Sequence, residues 1–417
     1  MNHPKHVGDF SLLDPAVQQC PFEFYRHLRQ ESPVYWAEDI RCFIVSTYAL
    51  AKTVFEDTAT FSSRNVNRRI VNADAVERVQ ALRASGYPPV PFLATNDPPT
   101  HSAYRQLSAK IFTSKRIFDM RKKVEPIVSE LFEPFVTKGG GDFMRDFAIP
   151  LPLMTVADLL GIPRDPETVA KYRLWSDATI GPLNGVISAE QEIGYAEDIL
   201  EYQAFFIDII NDRIKRPRED LITEMINAEV PGEGRRMDMA ELLSAIQQWL
   251  VAGGETTTYT LGSGMLLLAQ QPELLEALRE SDDRVKNFAE EVLRTQSPSQ
   301  GLLRVVLKDT VLDGVAIPAG SLVSVRIGAA NRDERIFADG EALDVCRANA
   351  KAHLSFGVGI HFCMGAPLAR MELFSAFRRF ADSGLRIEVD EESGGFGYVP
   401  SLFFLALNRL HLKLARV

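Results

Sequence analysis

One short segment carries the residues best suited to chemistry. The stretch "FGVGIHFCMG", Phe356 to Gly365, places a cysteine two residues after a histidine and among three glycines. Glycines let backbone amides approach a neighbouring group closely, and "APLARMEL" (366–373) predicts a helix that begins directly after the segment. A thiolate needs donors or positive charge nearby to stay ionised, and a helix N terminus favours an anion. The segment therefore predicts that Cys363 is a thiolate in a preorganised site of backbone N–H groups.

Three interpretations of this segment differ in what the cysteine does. A dinucleotide-binding loop needs a third glycine where Phe362 stands, and no clear strand precedes the loop as that motif requires. A plain structural cysteine usually packs in an apolar helix or strand rather than among glycines. A haem iron with an axial thiolate needs only one protein ligand, because the porphyrin supplies the equatorial nitrogens. The surroundings of Cys363 favour the haem iron.

A second candidate site lies in the longest predicted helix, residues 237–272, which is apolar on nearly every face. It contains "AGGETTT" (252–258), and two adjacent glycines cost a helix about 1 kcal/mol each relative to alanine. Because helix-compatible sequence resumes at once, the pattern predicts a mid-helix distortion rather than a helix end. Such a notch would make room for a diatomic ligand and a water.

Composition excludes several classes of protein. The chain has 417 residues, of which 46% are hydrophobic and 24% charged, which argues against disorder. Its net charge of −10 argues against a nucleic-acid partner. Four cysteines without CxxC spacing argue against a zinc site or a disulfide framework and fit a reducing cytoplasm. No apolar run approaches the roughly 18 residues of a membrane anchor, so we expect a cytoplasmic protein without one.

The elements that position these residues are mostly helices. Helical patterns fill most of residues 100–300, and two amphipathic helices, "PELLEALRES" and "RVKNFAEEVLR", follow the longest one. Strand patterns lie near the two ends of the chain, and their segments are "PVYW" (33–36) with "FIVS" (43–46), residues 310–327 around Asp313-Gly314, and "LRIEVD" (385–390) with "LNRLHLKL" (407–414). The sequence predicts a mainly α fold with a minor β region, in a single domain spanning residues 1–417.

The cysteine segment resembles the haem-binding loop of the cytochrome P-450 family. The matching positions are Phe356, Gly357, Gly359, His361, Cys363 and Gly365, and further family marks run from "FSSR" (61–64) to Glu372. The resemblance implies the family's triangular, helix-rich body, with haem b (iron protoporphyrin IX) between the long central helix and the cysteine-loop helix. It implies Cys363 as the iron ligand. It also implies a place for Phe356 and Gly365 against the haem.

The resemblance implies roles for further residues. The haem propionates would be bound by cationic or hydrogen-bonding side chains, namely His101, Arg105, Arg304 and His361. For each of the four, a solvated or capping side chain is the alternative. A structural network around the thiolate loop would be formed by Glu291, Arg294 and Arg347. Beside dioxygen, Thr256 would hold and relay protons, and Glu255 would connect that relay to solvent.

The substrate pocket is the least determined part. Counting back by fours from Thr256 puts Ala252 and Gln248 on the same helix face, so Ala252 would clear space above the haem. Gln248 would then point into the cavity and bind an oxygen-bearing substrate, or it would bond a neighbouring backbone group or Gln300 instead. Phe92 is the aromatic residue expected in the pocket wall, and Gln300 is a further pocket candidate.

The resemblance implies a bacterial-type monooxygenase that inserts one atom of dioxygen into a hydrophobic small molecule. Electrons would come from NAD(P)H through a ferredoxin reductase and a separate iron–sulfur ferredoxin. A peroxygenase or a non-oxygenating haem-thiolate enzyme would share the cysteine loop, but the retained acid–alcohol pair speaks against the peroxide-driven branch. A haem-based sensor or ligand carrier is the alternative from another class. Turnover with a surrogate ferredoxin system distinguishes these alternatives.

Overall fold

The computed structural model describes residues 6–64, 66, 72–183 and 187–416. Helices dominate the described residues, as the sequence predicts. The α-helices are α1 (Pro15–Gln19), α2 (Phe22–Glu31), α3 (Tyr48–Glu56), α4 (Val76–Ser85), α5 (Thr100–Ile111), α6 (Ser114–Thr137), α7 (Pro150–Leu160), α8 (Pro166–Ile180), α9 (Ala189–Lys215), α10 (Leu221–Asn227), α11 (Met239–Gln270), α12 (Pro272–Arg279), α13 (Asp282–Gln296), α14 (Ile327–Ala330) and α15 (Ala366–Asp382). None of these described helices is long and apolar enough to span a bilayer.

The strands are fewer and shorter. They are β1 (Val34–Ala37), β2 (Cys42–Val45), β3 (Phe61–Ser62), β4 (Gly140–Asp142), β5 (Glu229–Val230), β6 (Arg235–Arg236), β7 (Gly301–Val306), β8 (Thr310–Leu312), β9 (Val315–Ile317), β10 (Leu322–Arg326), β11 (Leu385–Val389), β12 (Phe396–Val399) and β13 (Ala406–Arg416). One sheet has the order β1-β2-β10-β7-β3, and a second has the order β11-β13-β12 with β4 also paired to β13. Strands β5 and β6 form one hairpin, and β8 and β9 form another.

The predicted strand pairs are confirmed. Strands β1 and β2 pair antiparallel with Trp36 opposite Phe43. Strands β8 and β9 form the hairpin at Asp313-Gly314, where both turn residues have positive φ, of 50° and 77°. This is the backbone that a two-residue hairpin turn requires and that an Asp-Gly pair adopts readily. Strands β11 and β13 pair antiparallel with Ile387 opposite Leu414.

The chain groups into two compact units. Unit 1 comprises Met1–Val66, Val128–Ala148 and Thr256–Val417, and unit 2 comprises Asn67–Ile127 and Ile149–Glu255. In unit 1 the five-stranded sheet packs on α3 through a cluster that includes Phe55 and Val323. The single domain expected over residues 1–417 stays a prediction.

Aromatic rings fill the interior of each unit. In unit 1 the Phe380 ring of α15 lies 5.0–6.3 Å, between centroids, from the rings of Phe132, Phe135, Phe143 and Phe147. In unit 2 the buried Trp175 of α8 contacts Tyr202 of α9, with ring centroids 5.8 Å apart. Edge-to-face pairs of this kind are worth about 0.5–1.5 kcal/mol beyond their buried area. These rings therefore fix how α15 and α9 lie within their own units.

The long helix continues past its two glycines, as predicted, and the distortion expected there stays a prediction. Helix α11 is a continuous α-helix from Met239 to Gln270 and passes through Gly253 and Gly254 without interruption. The two glycines also meet a packing requirement. A Cβ atom on Gly253 would lie 2.7 Å from Val156 of α7, and one on Gly254 would lie 2.8 Å from Leu153. The glycines therefore let α7 approach α11 closely within unit 2.

Two helical glycines make a matched test of this packing. A Cβ on Gly264 of α11 would lie 2.4 Å from the Phe377 ring of α15, whereas one on Gly194 of α9 would meet nothing within 4 Å. We expect Gly264→Ala to lower the free energy of unfolding by about 1–3 kcal/mol through overpacking. Gly194→Ala should raise it by up to about 1 kcal/mol, because alanine favours the helix. Urea unfolding midpoints measure both, and equal shifts in the two variants would contradict the assignment.

Candidate active site

The cysteine loop is closed by its own backbone. Gly357 and Gly359 have φ of +68° and +70°, a region that favours glycine, and they turn the chain back on itself. The Cys363 N–H then donates to the Phe356 carbonyl at 2.8 Å. Helix α15 begins at Ala366, three residues after the cysteine. The sequence-predicted geometry, a cysteine in a glycine loop directly before a helix N terminus, is present.

The environment of Cys363 differs from that of the other cysteines. Cys363 is partly exposed, and a Cβ on Gly365 would lie in van der Waals contact with its Sγ atom, at 3.8 Å. Cys42 is buried in β2, where burial raises the pKa of its thiol to about 11. Cys20 and Cys346 are exposed. The loop of Cys363 therefore fits a thiolate that binds an iron carried in by a porphyrin.

The predicted propionate partners divide between the two units. In unit 1, Arg304 of β7 is 5% exposed and its guanidinium lies 5.0 Å from the Phe55 ring centroid. His361 of the cysteine loop has its Nε2 atom 3.1 Å from the Ser63 hydroxyl. A buried guanidinium and a partly exposed imidazole can both donate hydrogen bonds to the carboxylates of a haem.

The partners in unit 2 lie on α5. His101 is 1% exposed. Burial, followed by the positive charge of Arg105, lowers the pKa of His101, so the imidazole is neutral near pH 7. A neutral imidazole can still donate one hydrogen bond to a carboxylate. Ala252, expected to clear space above the haem, is exposed on α11.

The Glu255-Thr256 pair lies at the middle of α11. Glu255 is buried, and both of its carboxylate oxygens accept hydrogen bonds from Nη1 of Arg173, at 3.2 and 3.0 Å. Arg173, on α8, is 28% exposed at its side chain and also binds Asp177. The Thr256 carbonyl accepts from the Thr260 hydroxyl at 2.8 Å. Sequence analysis missed Arg173, because nothing in its local pattern connects it with a residue 82 positions away.

The predicted substrate residues have structural partners. The Gln248 Oε1 atom accepts hydrogen bonds from the N–H groups of Leu93 and Ala94, at 2.9 and 3.4 Å. This is the neighbouring-backbone bond that the structural alternative expects. Phe92 is 2% exposed, and its ring centroid lies 4.7 Å from that of Tyr104. Gln300 is also buried, and its amide donates to two backbone carbonyls of unit 1.

The segment that precedes α5 is held by side chains rather than by a strand partner. The Gln203 amide of α9 accepts from the Tyr87 N–H and donates to the Tyr87 carbonyl, at 2.8 and 2.9 Å. Ser244 of α11 accepts from the Val90 N–H at 2.9 Å. Together with Gln248, these residues fix the backbone of residues 87–94 within unit 2. Sequence analysis missed Gln203 and Ser244, since polar residues on long helices give no signal of such a role.

The predicted structural network is assembled in unit 1. Glu291 and Arg294 are fully buried and meet in a two-pronged ion pair with N···O distances of 2.6 and 2.8 Å. Arg347 approaches the same carboxylate at 3.1 Å. Arg294 also donates to three backbone carbonyls, those of Asn331, Gly340 and Ala342. Because every donor of Arg294 is used, the buried charge is compensated.

Comparisons with known proteins agree with this geometry. Residues 188–380 match the family model for cytochrome P-450. The chain is 31% identical over 406 residues to the polyketide biosynthesis cytochrome P-450 PksS of Bacillus subtilis, covering 95% of this chain and 96% of that protein. It is also 31% identical over 418 residues to the cytochrome P-450 monooxygenase PikC of Streptomyces venezuelae, covering 98% of this chain and 95% of that protein.

Solved structures show the same fold. The structure of cytochrome P-450 CREJ in complex with (4-ethylphenyl) dihydrogen phosphate superposes with a TM-score of 0.85 at 31% sequence identity, covering 95% of this chain and 98% of that one. The mainly α fold with small sheets is therefore that of the family. The chain belongs to the cytochrome P-450 family of haem-binding monooxygenases.

Proposed function

We propose that the protein inserts one atom of dioxygen into a hydrophobic small molecule and reduces the other atom to water. The observation that carries the proposal is Cys363, partly exposed in a glycine loop that is closed on Phe356 and followed at once by α15. Bound haem supplies the iron at which dioxygen is activated, and the Cys363 thiolate is its protein ligand. Phe356 and Gly365 would contact the haem.

The haem carboxylates are bound from two chain regions. The side chains proposed for this role are Arg304, His361, His101 and Arg105. The burial of Arg304 and His101 supports this role, because hydrogen bonds and charge pairs with a carboxylate are stronger away from water. Ala252 provides a small side chain on the face of α11 that it shares with Thr256.

Protons reach dioxygen through the side chains of α11. The Thr256 hydroxyl holds a proton and passes it on, and the Glu255 carboxylate replaces that proton from solvent. The ion pair of Glu255 with the partly exposed Arg173 supports this connection, since it joins a buried carboxylate to a side chain that reaches water. Electrons come from NAD(P)H through a separate reductase and an iron–sulfur ferredoxin.

The substrate is proposed to be a hydrophobic molecule that carries oxygen groups. The names of related proteins support this class, since PksS is named for polyketide biosynthesis and the CREJ structure contains an aryl phosphate. Phe92 and Gln248 contribute by fixing the segment 87–94, which supplies part of the pocket wall. Gln300 is proposed as a further pocket residue.

Isotope labelling tests the proposed reaction. A ligand from a library of polyketides, terpenes, steroids and aryl esters is first identified by its low- to high-spin optical change. Turnover under ¹⁸O₂ with a surrogate ferredoxin, its reductase and NADPH should then give a product with one ¹⁸O atom. Product formed equally well with hydrogen peroxide alone, or product without ¹⁸O, would contradict the proposal.

Thr256→Ala should uncouple electron consumption from product formation. Without the hydroxyl, a positioned proton donor is lost, and such donors contribute about 10²–10⁴-fold to a reaction. We expect NADPH consumption to continue, product per NADPH to fall by roughly tenfold, and hydrogen peroxide to accumulate. Thr257→Ala is the matched control and should leave the ratio unchanged. A normal ratio in Thr256→Ala, or the loss in Thr257→Ala instead, would remove Thr256 from the relay.

Gln248→Leu distinguishes a pocket contact from a backbone contact. The variant removes the acceptor for the Leu93 and Ala94 N–H groups and so releases the segment that they fix. We expect weaker binding of polar and hydrocarbon ligands alike, by about 1–2 kcal/mol. Optical titrations with a matched pair, such as a fatty alcohol and the corresponding alkane, measure this. Selective loss of the alcohol would instead show that Gln248 binds substrate directly.

A further inference from the structure

Helix α13 carries two adjacent carboxylates that serve different partners. Glu291 binds Arg294 and Arg347, as described above. Glu290, the residue before it, is 2% exposed and binds His353 and Arg370. Sequence analysis assigned no role to Glu290 or His353. The two partners of Glu290 stand on either side of the cysteine loop in sequence, His353 before it and Arg370 after it.

Both oxygens of Glu290 are occupied. Arg370 Nε donates to Oε1 at 2.6 Å, and Arg370 Nη2 donates to Oε2 at 3.1 Å. His353 Nε2 lies 3.0 Å from Oε2, and the Ser355 N–H donates to His353 Nδ1 at 3.2 Å. Because Nδ1 accepts, the proton of a neutral His353 is assigned to Nε2, which donates to Glu290. Burial favours the neutral imidazole, since it lowers the pKa of His353.

The charge of Glu290 is well compensated within this network. Burial alone would raise the pKa of its carboxyl group, but the hydrogen bonds from His353 and Arg370 outweigh burial and lower the pKa to about 2. Glu290 is therefore ionised throughout the neutral range. An ionised carboxylate that accepts hydrogen bonds on both oxygens fixes the orientations of the Arg370 and His353 side chains.

The partners of Glu290 enclose Phe356. The Arg370 guanidinium lies over the Phe356 ring, 4.5 Å from its centroid, and the His353 ring centroid lies 5.6 Å from it. The Phe356 carbonyl accepts the Cys363 N–H at 2.8 Å. A continuous chain of contacts thus runs from the carboxylate of α13 through Arg370 and Phe356 to the backbone of the cysteine.

We propose that Glu290 is a positioning residue for Cys363, acting with Arg370 and His353 as a clamp on Phe356. The inference rests on the proposed role of Cys363 as the iron ligand. Without the carboxylate, Arg370 loses its anchor, the Phe356 ring loses the cation above it, and the hydrogen bond that closes the loop is no longer fixed from outside. The bond between the Cys363 sulfur and the haem iron would then be lost more readily.

The variant Glu290→Gln tests the clamp with little change of shape. The measured quantity is a first-order rate in mild urea. It is the rate at which the red-shifted Soret band of the ferrous–carbon monoxide protein converts to the blue-shifted band of a protein that has lost thiolate ligation. We expect this rate to rise about tenfold, the lower end of the effect of removing a residue behind a metal ligand. Glu280→Gln, which removes an exposed ion pair with Arg284, is the control and should leave the rate unchanged.

A double-mutant cycle tests whether Glu290 and Arg370 act together on the loop or stabilise it independently. Arg370→Lys keeps the charge but loses the fork and the stacking plane of the guanidinium. If the two residues act as one unit, Glu290→Gln with Arg370→Lys should convert about as fast as either single variant. Rates that multiply, or single variants that match the wild type, would overturn the inference. Should Glu290→Gln fail to fold, a wild-type rate in the partly exposed Arg370→Lys variant would overturn it alone.

The wild-type spectrum separates this inference from the proposed function. A wild-type protein without the red-shifted band would remove Cys363 as the iron ligand and both proposals with it. A wild-type protein with the band, together with variants that convert at the wild-type rate, would remove only the clamp.

Discussion

The placement of one sulfur atom is the constraint on which this structure depends. Two glycines with positive φ turn the chain, and the Cys363 N–H closes the turn on the Phe356 carbonyl at 2.8 Å. A loop of this kind has no sheet partner of its own, so neighbouring elements must hold its two ends. Helix α15 holds the end after the cysteine. On the other side, the Ser355 hydroxyl donates to the Leu293 carbonyl of α13 at 2.6 Å.

Helix α13 can hold the loop because hydrogen bonds compensate its buried charged side chains. An isolated buried ion pair often fails to repay the cost of removing two charges from water. For Arg294 this cost is offset, since five hydrogen bonds satisfy its five donors. Helix α11 uses small residues for a different purpose, the close packing of other helices against it. Glycines at 253, 254 and 264 admit α7 or α15 at close range, which fixes the backbone on either side of Thr256.

Sequence reasoning succeeded where the signal is local. The cysteine loop, the β8–β9 turn at Asp313-Gly314 and the long apolar helix are each encoded in a few neighbouring residues. It failed where the role of a residue depends on partners that are distant in the sequence. Gly253 and Gly254 predicted a distorted helix because glycine is costly in a helix, and no short pattern indicated their close packing against Val156 and Leu153 of α7. The Arg173–Glu255 pair and the partners of Glu290 depend on tertiary packing that no short pattern encodes.

The most direct test of the account concerns the iron–sulfur bond itself. A variant in which Cys20, Cys42 and Cys346 are replaced by alanine keeps Cys363 as its only cysteine. Resonance Raman spectra of this ferric protein, grown with ³²S or ³⁴S, should show one iron–ligand stretching band that moves to lower frequency with the heavier isotope. A haem-loaded protein whose iron–ligand bands are all insensitive to sulfur mass would contradict the assignment of Cys363 as the thiolate ligand.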